Sequence, residues 1–177
     1  MGASASRWLW AVALALYACA PGARADDSSL SEYRLKAAFL YNFALLTEWP
    51  ADVGSTLRLC VYGTDPFGAE LDGLQGKLVG ERSLAVQHNT GIDGLKSCQI
   101  VFIAPTAAGQ VARVLTALAG HTVLTVADRP GAVQQGVALN MAVSQNKVSF
   151  EANLKAARAA KLNLRSKLLR LATEVIQ

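Results

Sequence analysis

The sequence predicts an α/β domain: a three-layer αβα sandwich with a mostly parallel sheet and an antiparallel edge hairpin. Three observations predict it. Short apolar runs, LRLCVY (Leu57–Tyr62) and CQIVFIA (Cys98–Ala104), read as strands buried on both faces. Helical patterns alternate with such runs, as they do where crossover helices cover a parallel sheet. Val137–Val143 and Lys147–Glu151 flank Ser144-Gln145-Asn146, the length and chemistry of a β-hairpin.

The elements follow in order. Arg7, an apolar run from Trp8 to Ala20, and Ala23-Arg24-Ala25 describe a cleavable secretory leader, with cleavage after Ala25. The run is short for a bilayer span. Leu16-Tyr17-Ala18-Cys19 carries the leucine and cysteine of a lipoprotein signal, with Tyr17 bulky for that motif, so lipidation at Cys19 is the lesser alternative. The rest, 26–177, reads as one domain of adequate core size, with no repeat or linker. Arg7 and Arg24 leave with the leader, so 15 of the 17 basic residues face 13 acidic ones. A charge near +2 offers little pull on nucleic acid.

LKAAFLYNFALLTEWP (Leu35–Pro50) is the organising helix. Ser29 and Glu32 match a capping box, and Pro50 predicts an end at Trp49. Leu30, Tyr33, Ala37, Leu40, Tyr41 and Ala44 fall on one stripe; Leu35, Phe39, Phe43 and Leu46 fall on a second. A helix covering one sheet face needs only one stripe. Either both are core, or Leu35, Phe39, Phe43 and Trp49 make a partner or dimer surface.

After the first strand, Gly63–Gly68 is a turn feeding a short helix, Ala69–Leu74, and Gly76–Gly80 is a loop. Ser83–His88 alternates as the second strand, and Gly91–Ser97 connects to the third at Gln99–Ala104. Ala107–Ala119 is an amphipathic helix, His121–Ala127 the fourth strand, and Asp128–Gly131 a turn. The chain from Ala152 reads as two helices broken at Leu162–Leu164, with Ser166 capping Leu168–Ile176.

Cys60 and Cys98 remain after the leader. An oxidising compartment favours pairing, and a bridge closing 38 positions stabilises by about 4 kcal/mol on the chain-entropy model. The alternative is two buried thiols acting as small apolar residues. No C-x-x-C is present, so the role is structural. G-x-G-x-x-G, G-K-[ST] and G-x-S-x-G are absent. His88 and His121 lack metal-ligand spacing and read as a strand-surface and a strand-start residue. No metal, cofactor or catalytic set is expected. Thr64, Asp65, Asp128 and Arg129 follow strands at the carboxyl edge, where open α/β sheets bind ligands. Aspartates also favour such turns for their own sake. Six basic residues from Lys155 to Arg170 face only Glu174, a pattern for an acidic partner, anionic lipid or a solvated helix face.

In order, LKAAFLYNFALLTEWP, LCVYGTDPFG, CQIVFIA, VLTVAD and VSFEANLKAARAAKLNLRSKLLRLA resemble the YfiR family (YfiR/HmsC-like) over nearly the whole chain after the leader. The first and last pieces are the specific ones. The resemblance implies a periplasmic, non-catalytic, often dimeric repressor of an inner-membrane diguanylate cyclase. Such a repressor binds the cyclase's periplasmic sensor domain, lowering cyclic-di-GMP and biofilm formation. It also implies relief by an OmpA-like outer-membrane lipoprotein and tuning through disulfides. The stretch Pro130–Gly136 lacks the family's aromatic and one of its paired glycines, and one cysteine pair leaves no second disulfide. The alternative function is a periplasmic small-ligand sensor for another membrane receptor or sensor kinase.

Overall fold

The computed structural model describes residues 25–144 and 147–177. The expected leader up to Arg24, Cys19 and the hairpin turn at 145–146 lie outside the described residues. Helix α1 spans Ala25–Leu45 and leads through β1 (Thr47–Glu48) to β2 (Thr56–Tyr62), α2 (Ala69–Asp72), β3 (Leu78–Val79) and β4 (Arg82–Gln87). A 3-10 helix at Ile92–Ser97 precedes β5 (Ile100–Ile103); another at Pro105–Gln110 runs into α3 (Val111–Leu118). Then follow β6 (Leu124–Ala127), β7 (Leu139–Ser144), β8 (Lys147–Asn153), α4 (Leu154–Ala159), β9 (Asn163–Leu164), α5 (Ser166–Leu169) and β10 (Glu174–Ile176).

Among the described residues, eight strands form one sheet in the order β10-β8-β7-β6-β5-β2-β4-β3. The central run from β7 to β4 is parallel throughout. The expected antiparallel hairpin is β7–β8, in register from Leu139↔Ala152 to Ser144↔Lys147. β5 is apolar at every position, and β2 from Leu59 to Tyr62, because both faces of the sheet are covered there. In β2, Leu57, Leu59 and Val61 face α1, α2, α4 and α5, whereas Cys60 and Tyr62 face α3 and the first 3-10 helix. Ile100 and Phe102 of β5 join the first face, Val101 and Ile103 the second. Three layers result.

Cys60 and Cys98 are joined, their Cα atoms 6.1 Å apart. The bridge ties β2 to the residue that ends the first 3-10 helix, two positions before β5, its neighbour in the sheet.

Three element readings are corrected. The organising helix is already formed at Ala25, the first described residue, so Ser29 stands inside it rather than at its cap, and Glu32 pairs forward with Lys36. It ends at Leu45, not Trp49, because later side chains take its last carbonyls. Thr47 Oγ1 donates to Phe43 O at 2.7 Å, and Trp49 Nε1 donates to Ala44 O at 2.9 Å. The freed chain pairs with β9, Thr47 opposite Leu164. At the other end α5 stops at Leu169, and Glu174–Ile176 is a strand parallel to β8. The outer edge of β8 offers unpaired backbone groups, and those outweigh a marginal helical pattern. The Gly76–Gly80 loop likewise contains β3, paired antiparallel with β4.

Candidate functional site

The carboxyl edge of the parallel strands is the first place to look. The connections leaving β2 and β5 go to opposite faces, which opens a crevice between such strands in a doubly wound sheet. Here it is closed. Gly63, at φ +97°, brings its backbone so near the 3-10 helix that a Cβ would sit 2.9 Å from Ala107 Cβ. The Thr64 N–H donates to Thr106 Oγ1 at 2.9 Å. Asp65 Oδ1 accepts the Phe67 N–H at 2.8 Å, and its other oxygen meets His88. Arg129 Nη1 donates to Ala108 O at 2.8 Å, and its N–H to Asn140 Oδ1 at 3.1 Å. Asp128 accepts Lys36 Nζ at 2.6 Å and the Tyr33 hydroxyl at 3.2 Å.

All four residues named for the crevice thus stand at that edge, each engaged by its own chain. Lys36 is the residue the sequence reading missed. It is 2% exposed, paired with Asp128 and Glu32, and its ammonium lies 4.6 Å from the Tyr33 ring centroid. Burial first, then Asp128, pushes the Tyr33 phenol well above its usual range. A lysine three residues after Tyr33 and four before Leu40 sits on the core stripe, and that was the available signal. Among the described residues, no group of three His, Cys, Asp or Glu side chains is arranged to hold a metal ion.

The second place is the outer face of α1. Phe43, proposed for a partner surface, is 0% exposed and is corrected to core. Its ring lies 5.1 Å from Phe150 and 5.9 Å from Phe39, because position 43 shares the inward stripe with Ala37, Leu40 and Ala44. Trp49 is half-buried. Leu35 remains 42% exposed and Phe39 half-buried, one turn apart. With Leu46, Phe39 borders a groove of about 310 Å³ that Phe43, Phe150, Leu168 and Leu171 also line. Leu171 is 64% exposed. A cleft of about 640 Å³ shares Leu46 and Lys167 with that groove and adds Arg165, Arg170 and Glu48, the last 3.7 Å from Arg165 Nε. One face therefore combines an apolar channel with a cationic flank. The sequence reading held the two ingredients apart, since Leu35 and Arg170 are distant along the chain.

A doubly covered α/β domain with its carboxyl-edge residues engaged by their own chain and an apolar, basic face open defines the class. The family model described as YfiR/HmsC-like matches residues 33–173, and the chain belongs to that family. The family comprises periplasmic regulators of cyclic-di-GMP signalling. No curated protein sequence matches the chain. Among solved structures it is similar to a conserved domain protein from Vibrio cholerae O1 biovar El Tor (9% identity, TM-score 0.51). It is similar also to the ABC domain in complex with L-Trp from Streptococcus pneumonia (9% identity, TM-score 0.53). Each alignment covers 81% of this chain and 60% of the other, and at that identity it shows the fold alone. Among the described residues, no helix is long and apolar enough to cross a membrane.

Proposed function

We propose that this protein is an exported periplasmic repressor that binds the periplasmic sensor domain of an inner-membrane diguanylate cyclase, lowering cyclic-di-GMP and biofilm formation. One observation carries the assignment of its binding face: the groove between Phe39 and Leu171 runs into the cleft of Arg165, Lys167 and Arg170. Exposed apolar side chains beside cations suit a protein partner that inserts an apolar anchor and presents carboxylates around it. The family and the leader-like N-terminus support the compartment. Thr64, Asp65, Asp128 and Arg129 are already engaged by their own chain, which favours a protein partner over the small-ligand alternative there. Relief by an OmpA-like outer-membrane lipoprotein and a homodimeric state complete the proposal.

The test is cellular cyclic-di-GMP after deletion of the gene, complemented with the exported protein or with Leu171→Asp/Lys167→Glu, which alters exposed positions only. Deletion should raise cyclic-di-GMP, the parent should restore it, and the folded variant should fail to. No rise on deletion would sink the repressor reading. Full repression by the folded variant would move the binding face elsewhere.

A further inference from the structure

We propose that Asp65, His88 and Asp72 form a proton-operated clasp that holds α2 against the end of β4 and releases it as the pH rises. His88 directly follows the last residue of β4. Its Nδ1 meets Asp65 Oδ2, from the turn after β2, and its Nε2 lies 2.8 Å from Asp72 Oδ1, the last residue of α2. A carboxylate only accepts, and a neutral imidazole carries a single N–H. A neutral ring therefore satisfies one aspartate and turns a lone pair on the other. Only the imidazolium donates to both, so the three-segment contact requires the proton.

The two arms are unequal, and that decides which one opens. The Asp65 side chain is 9% exposed and is anchored a second time by the Phe67 N–H, whereas Asp72 is 65% exposed. When the proton leaves, Asp65 keeps the remaining N–H and water takes Asp72. Helix α2 has little to hold it alone, being four residues long with no side-chain cap at Gly68. Leu71 in the core and the Glu70 pair with Arg34 of α1 are its other moorings.

The charged groups acting on the ring are Asp65 from the turn and Asp72 from α2. The hydrogen bond to Asp65, foremost, holds the imidazole above its ordinary value, with burial opposing. The clasp is therefore fully closed below about 6.5, the unfolded value, and is lost as pH rises through the higher folded one. Its opening loosens the flank of α1 where Tyr33 packs on Phe67, with ring centroids 5.2 Å apart. The device stands independently of which partner the protein binds.

Amide exchange over residues 69–76, corrected for intrinsic base catalysis, tests it between about pH 6 and about pH 9, with the His88 ring titrated by NMR. The expected result is a selective loss of α2 protection across the ring's titration, about tenfold for each unit by which the ring is raised, with β5 and β6 unchanged. Asp72→Asn, at an exposed position, should lower the ring's value and flatten the pH dependence; His88→Gln should abolish it. A flat wild-type profile overturns the proposal. So does a ring titrating at or below its ordinary value, or the same pH dependence in Asp72→Asn.

Discussion

Lys36 shows how much one side chain can decide. Its ammonium, buried between Asp128 and Glu32, pins the first half of α1 over the carboxyl edge of the sheet. Removing it leaves Asp128 without its close cation. Lys36→Met should therefore cost about 3–5 kcal/mol in urea unfolding, and pairing it with Asp128→Leu should recover part of that loss. His88 makes a prediction of opposite character. Because its folded value is raised, its stabilising contribution should be full in mild acid and vanish in mild alkali. The unfolding midpoints of wild type and His88→Gln should differ at about pH 5.5 and converge by about pH 9. Neither role was legible in the chain. Lys36 and Asp128 are 92 positions apart, and His88 meets aspartates 23 and 16 positions away. Only their placement on the core stripe and at a strand end hinted that something had to receive them.

At the scale of elements, α1 has two apolar stripes, and they do different work. Phe43 belongs to the sheet-facing one, so Phe43→Ala should destabilise by about 3–5 kcal/mol through the cavity it leaves among Phe39, Phe150 and the sheet. Leu171→Asp, on the open side of the groove, should change stability by about 0.5 kcal/mol or less. Equal losses in thermal melts would show that the groove is core after all. The last strand carries a separate expectation. Thr173 N–H bonds to Phe150 O at 2.8 Å as β10 comes alongside β8, covering an otherwise open edge. Truncation after Ala172 should expose that edge and promote self-association, measurable by sedimentation velocity. Helix and strand periodicity located β2, β5, β7 and β8 because their patterns are unambiguous. It misread Glu174–Ile176, since three residues carry too little pattern to distinguish a helix end from a strand.

For the whole molecule, the two layers of helices leave one face open, apolar in the groove and cationic at Arg165, Lys167 and Arg170. Partner capture through it should weaken with salt, mainly in the association rate, and Lys167→Glu/Arg170→Glu should remove most of that dependence in surface-plasmon kinetics. Dependence unchanged by the double variant would place the charges outside the encounter. The sequence by itself determined the layered α/β class, the central strands and the hairpin, because hydrophobic period and turn chemistry are local properties of the chain. The two cysteines were visible too, each in its apolar strand run. What only the tertiary structure decided was which apolar stripe of α1 is core, and that Lys36 occupies the edge where a ligand would sit. It also decided that a lone histidine joins two aspartates, and that Phe39 and Arg170 share one face. These are contacts between segments far apart in sequence, set by how helices and sheet close on one another, and no local pattern encodes that closure.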